Sequence, residues 1–126
     1  MDLALHQGES PVLLRDIAQR QEIPPKYLEH VITPLIAGGI LRSARGAGGG
    51  ISLAKTPESI RLSEAIKLLE GPIALVDCVI NPEICSRSRL CVTRDIWVEM
   101  KEAMNGVLDS TTLQDLLERH KKKEQP

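Results

Sequence analysis

Two short helical patterns, a break of three residues between them and a glycine-dense turn close behind constrain this chain more than any other feature. Pro11 to Gln21 places Leu14, Ile17 and Ala18 at i, i+3 and i+4. That is one apolar face, with Arg15, Asp16, Gln19 and Arg20 outside it. Glu22-Ile23-Pro24 interrupts the pattern, and Pro25 suits the first turn of a second helix. From Pro25 to Ala37 the buried stripe is Leu28, Ile32, Leu35 and Ile36, with Lys26, Tyr27, Glu29 and His30 away from it. Pro34 removes an i→i−4 bond, so a kink or an irregular last turn is expected there. Two helices joined this closely read as a helix-turn-helix.

Gly38-Gly39 ends the second helix. Ile40 to Ala44 reads as a strand, Arg45 to Gly50 as a glycine-dense turn, and Ile51 to Ala54 as the return strand. A hairpin directly behind a helix-turn-helix makes a winged helix. In that arrangement the second helix enters the major groove, and the hairpin tip touches backbone or minor groove. The glycines lack both G-x-x-x-x-G-K-[ST] and a strand-turn-helix setting, so a nucleotide cradle is a poor reading of Gly46 and Gly48–Gly50.

The remainder reads as helical. The chain has 126 residues, enough for one modest core, with one Trp (Trp97), one Tyr (Tyr27) and no Phe. Leu, Ile, Val and Ala must fill that core. Met1 to Gln7 resembles a helix end that Gly8 can cap. Arg61 to Glu70 carries Leu62, Ala65, Ile66 and Leu69 on its inward side, and Gly71-Pro72 stops it. Val92 to Leu108 forms a long helix with Val92, Ile96, Met100, Met104 and Val107/Leu108 as its stripe, widened by Trp97 and Ala103. Ser110 or Thr111 is expected to cap a final short helix holding Leu113, Leu116 and Leu117, with a frayed tail from His120. The expected fold is mainly α with a small β-hairpin: a winged helix-turn-helix plus a long C-terminal dimerisation helix. It divides as 1–61 for DNA binding, 62–91 for a connecting helix and cysteine loop, and 92–126 for dimerisation and tail.

All three cysteines, Cys78, Cys85 and Cys91, lie in the run DCVINPEICSRSRLC. The C-x6-C-x5-C spacing points to one soft-metal or redox site, since thiolates favour zinc, copper(I) and iron–sulfur clusters. Neither C-x2-C nor C-x4-C occurs, which weakens a zinc-finger reading. An odd cysteine count in one loop argues against a secreted disulfide framework. With no secretion signal or membrane-length apolar run, a cytoplasmic chain is expected. The net charge is −1, but Arg42, Arg45 and Lys55 form a local basic stretch without an acid. His6, His30 and His120 are scattered, and no nucleophile–base–orienter set emerges, so no enzyme is expected.

The run RDIAQRQEIPPKYLEHVITPLIAGGILRSARGAGGGISLA resembles the winged-helix half of the iron–sulfur cluster regulator and nitric-oxide-sensitive repressor family, of the Rrf type. EAIKLLEGPIALVDC with the cysteine triplet resembles its cluster-binding half, and Asp109-Ser110-Thr111-Thr112-Leu113 also fits. The resemblance implies a homodimeric transcription regulator, repressing or activating promoters on double-stranded DNA. It implies an iron–sulfur cluster, 2Fe–2S or 4Fe–4S, on Cys78, Cys85 and Cys91. The implied signal is iron, cluster supply, nitric oxide or redox state. Lys26, Tyr27, Glu29 and His30 would face DNA from the recognition helix, and Arg42, Arg45, Gly46 and Gly48 from the wing.

Three departures stand out. The longer N-terminal helix of the family is absent before Met1, so the chain reads as a shortened member. Arg94 occupies the position where some members carry a ligating His, and it stays protonated and cannot ligate. Leu13 stands where a Ser or Thr usually caps the second helix. The rival readings are a metal-free thiol regulator, and a shortened dimerising interaction protein with weak DNA binding.

Overall fold

A computed structural model describes residues 1–6, 11–44 and 50–124. Helix α1 spans Asp2–Leu5, α2 spans Leu14–Gln21 and α3 spans Pro25–Ala37. Strands β1 (Leu41–Ala44) and β2 (Gly50–Leu53) pair antiparallel, with Leu41 opposite Leu53 and Ala44 opposite Gly50. A 3-10 turn at Pro57–Ser59 leads to α4 (Leu62–Glu70) and α5 (Asp77–Ile80). A second 3-10 turn at Pro82–Ile84 precedes the long α6 (Val92–Ser110) and then α7 (Leu113–Glu124).

The helix-turn-helix is locked at both helix ends by the same device. Beyond α2, Glu22 adopts a left-handed φ of 53°, and Ile23 N–H donates back to the Ala18 carbonyl at 3.0 Å. Beyond α3, Gly39 does so at φ 81°, and Ile40 N–H donates to the Leu35 carbonyl at 3.0 Å. These are Schellman closures, which satisfy carbonyls the helix leaves open. Gly38 is also needed for space. A Cβ there would meet Leu68 Cδ1 at 2.4 Å, so α4 packs directly on the end of α3.

The expected start of α2 is corrected. Pro11 to Leu13 are not helical, because Val12 is taken by the hairpin. Its N–H donates to the Ile51 carbonyl at 2.9 Å and its carbonyl accepts from Ile51 N–H at 2.7 Å. Leu13 then serves as the α2 N-cap without a side-chain bond, as its apolar side chain requires. The helix continues through Pro34 to Ala37. The proposed cap at Gly8 lies outside the described residues.

The C-terminal segment departs further from expectation. Thr112, not Ser110 or Thr111, caps α7. Its Oγ1 accepts from Asp115 N–H at 3.1 Å, while Asp115 Oδ2 accepts from Thr112 N–H at 2.9 Å. This is a reciprocal capping box. It holds the Asp115 carboxyl below its usual pKa, the Thr112 backbone N–H being the main cause. The helix then runs to Glu124 rather than fraying from His120. Leu113 and Leu117 are buried in the core with Ile17, Leu28, Ile32, Ile40 and Ile60, so α7 closes back on the winged helix.

That core leaves α6 largely outside it. Among the described residues, α4 and α6 contain no buried residue. On α4, Ala65 and Leu68 pack against the core, while Leu69, expected inward, is 41% exposed. Two backbone bonds pin the start of α4 to the end of α6: Leu62 N–H to the Thr111 carbonyl and Leu113 N–H to the Ile60 carbonyl, both 2.9 Å. Arg61 Nη1 adds a bond to the Asp109 carbonyl at 2.7 Å.

Candidate nucleic-acid interface and thiol loop

The candidate recognition surface follows from the α3 stripe. With Leu28 and Ile32 buried, the helical repeat puts Lys26, Glu29 and His30 on the solvent side, and Tyr27 is 62% exposed beside them. Thr33 shares this exposed face, at i+7 from Lys26, and sequence reasoning did not single it out. Its Oγ1 donates to the Glu29 carbonyl at 2.8 Å, which leaves oxygen lone pairs open to a donor from outside. The i, i+3, i+4, i+7 spacing from Lys26 was the signal that could have found it.

On the wing, Arg42 is exposed on β1, opposite Ser52. Arg45, Gly46 and Gly48 lie outside the described residues. The basic stretch is weaker than its composition suggests, because Lys55 is paired with Glu64, Nζ to Oε1 at 2.7 Å. Arg20, on α2, holds Asp2 with Nε at 3.0 Å and Nη2 at 2.7 Å, a two-point clamp that ties α1 to the helix-turn-helix. That clamp, with Gln21 adding a bond, keeps the Asp2 carboxyl below its ordinary pKa against the opposing effect of partial burial.

The cysteine loop is folded by its polar residues. Asn81 Oδ1 accepts from Glu83 N–H at 3.3 Å and starts the second 3-10 turn. Ser88 is buried, and its Oγ lies 2.7 Å from the Pro82 carbonyl and 2.9 Å from the Cys85 carbonyl. One hydroxyl therefore closes the turn around Cys85. Arg94 Nε donates to the Cys78 carbonyl at 3.2 Å, so the residue that cannot ligate fastens the loop to the first turn of α6. Cys91 is the N-cap residue of that helix.

All three cysteines are free thiols, Cys78 and Cys91 half-buried and Cys85 exposed. The donor chemistry suits a soft metal or iron–sulfur cluster, but the placement does not. Among the described residues no three His, Cys, Asp or Glu side chains are gathered where they could hold a metal ion. The loop as folded is thus not a closed ligand set, and holding a cluster would require it to bring its thiols together.

Beside the loop lies an apolar surface. Taking roughly 100° per residue, Val92, Ile96, Met100, Ala103 and Val107 fall within about 80° of arc on α6. Val92 is 77%, Ile96 52%, Met100 42% and Val107 64% exposed. Ile84 and Leu90 of the loop are also exposed. Among the described residues this stripe stays at least two-fifths exposed at Val92, Ile96, Met100 and Val107, and contiguous apolar patches of this kind are typical of contact surfaces. None of the helices among the described residues is long and apolar enough to cross a membrane.

A helix-turn-helix with a wing, an uncovered helical stripe and a thiol loop between them define the class of winged-helix transcription regulators. The Rrf2 family, described as iron-dependent transcriptional regulators, matches residues 1–119. Protein rrf2 of Nitratidesulfovibrio vulgaris is 42% identical over 117 residues, covering 93% of this chain and 78% of that protein. The regulator CymR of Bacillus subtilis is 38% identical, covering 92% and 79%, and its solved structure is described as that of a global cysteine regulator. The structure of T. potens IscR superposes with a TM-score of 0.80 at 36% identity, covering 99% of this chain and 82% of that one. The chain belongs to the Rrf2 family of DNA-binding transcription regulators. Its relatives are regulators, not enzymes.

Proposed function

We propose that this chain is a homodimeric transcription regulator of the cytoplasm whose promoter occupancy follows the chemical state of Cys78, Cys85 and Cys91. The winged helix of residues 1–61 reads double-stranded DNA. Lys26, Tyr27, Glu29 and His30 meet base edges from α3, while Arg42, Arg45, Gly46 and Gly48 meet backbone or minor groove. Residues 62–91 connect and sense, and residues 92–126 pair two copies through the α6 stripe. One observation carries this reading. The thiol loop is bonded through Arg94 to α6 and ends on the cap of that helix, so a change at the cysteines bears directly on the pairing element.

Two chemistries suit the loop. An iron–sulfur cluster is supported by the three-thiol donor set, the iron-dependent description of the family and the IscR relative. Metal-free thiol chemistry is supported by the exposure of Cys85, the dispersed thiols and the CymR relative. Anaerobic reconstitution with iron and sulfide separates them. The cluster reading expects charge-transfer absorption that is lost in Cys85→Ala. A colourless protein whose mass changes on mild oxidation, with two cysteines joined, carries the thiol reading instead. In either case the mobility shift of promoter DNA should weaken steeply with salt, because phosphate contacts release counterions. Salt-independent binding, or occupancy indifferent to every cysteine treatment, refutes the proposal.

A further inference from the structure

The side of α6 opposite the exposed stripe faces α4 across a cleft of about 330 Å³. Ser63, Ile66 and Lys67 of α4 form one wall, and Lys101, Asn105 and Leu108 of α6 the other. Gly71, Pro72, Ile73 and Asp109 complete the lining. The side chains of Lys67 and Lys101 take no hydrogen bond or salt bridge among the described residues, although the chain is slightly acidic overall. Asp109 is the sole carboxylate in the lining, which leaves a net charge of +1. Glu64 of α4 is committed to Lys55.

We propose that this cleft binds a small organic dicarboxylate with a short aliphatic body. The two ammonium groups each take a carboxylate, and the Ser63 hydroxyl and Asn105 amide supply neutral hydrogen bonds. Ile66, Ile73 and Leu108 receive the methylene chain. The volume lies at the lower end of small-molecule pockets, which suits a ligand of a few carbons. The walls are joined at the α4 start by the Leu62–Thr111 and Arg61–Asp109 bonds, whereas the Gly71 end carries no such tie between α4 and α6 among the described bonds. A diacid between the lysines therefore fixes the spacing of α4 and α6. An effect on promoter occupancy would rest on the regulator reading above; binding itself does not.

The test is titration of the ¹⁵N-labelled intact chain, without DNA, with straight-chain diacids from succinate to pimelate and with inorganic phosphate for comparison. The expected result is saturable shifts at Ser63, Lys67, Lys101 and Asn105. Each of Lys67→Gln and Lys101→Gln should weaken binding by about tenfold, and the pair by about a hundredfold. Lys67 is exposed, so its single variant keeps the test usable if the pair does not fold. No saturable shift with any diacid, or affinity unchanged by the lysine variants, overturns the site. Phosphate binding as tightly as the diacids reduces it to an adventitious anion contact and overturns the ligand class.

Discussion

Ile96→Asp should take the proposed dimer apart, and the size of the effect can be worked from the exposed stripe. Ile96 is 52% exposed in the single chain. Burying a whole isoleucine is worth roughly 1.5–3 kcal/mol, so covering its exposed half contributes about 1 kcal/mol. A two-fold interface uses the residue twice, giving about 2 kcal/mol. An aspartate forfeits this and places a polar group from each copy in the contact, at about 1 kcal/mol or more each. The sum is about 4 kcal/mol, close to a thousandfold weaker association. Sedimentation velocity across a concentration series reads the dissociation constant, and circular dichroism checks that the helices remain. Glu102→Gln, exposed on α6 but off the stripe, should leave association unchanged. The reasoning is refuted if folded Ile96→Asp dimerises as tightly as the parent. A monomeric variant should also lose affinity for a promoter with two half-sites, since the second head would no longer bind from a tethered position.

Gly50→Ala should destabilise the wing by about 1–3 kcal/mol, the cost of forcing in a group that does not fit. Its Cβ would lie 2.5 Å from the Val12 carbonyl oxygen, a backbone atom already engaged with Ile51, and an unchanged melting temperature would contradict this. Thr112→Ala should cost about 1 kcal/mol by removing one half of the α7 capping box; chemical denaturation measures it, and no loss would refute the capping role. Asp2 has a folded pKa below its unfolded value, with Arg20 the main cause, so its contribution is present above the unfolded pKa and lost as pH falls through the folded one. Asp2→Asn should therefore be less stable at neutral pH and lose less on acidification below about pH 4; identical acid profiles for the two proteins would refute that linkage.

Much of the fold was legible because its signals are local. Pro25 at the first turn and Gly38-Gly39 at the end bound α3 where the pattern placed it. The period of apolar residues found α6, but periodicity cannot say what covers a stripe, and one chain leaves Val92, Ile96, Met100 and Val107 in the open. The start of α2 was misplaced because Val12 pairs with Ile51, a partner far along the chain. The tail was misread because its lysines look like solvated ends, whereas Leu113 and Leu117 anchor the helix they extend. At the candidate site, sequence found the exposed side chains of α3 but not Thr33, and counted Lys55 as an open cation although Glu64 holds it.

The sequence by itself determined the helix-turn-helix, the hairpin and the gathering of every thiol into one loop, because caps, breakers and apolar period act between near neighbours. Only the tertiary structure decided how α7 closes the core and that Arg94 fastens the loop to α6. Those outcomes depend on distances between segments far apart in the chain, which spacing along it does not fix.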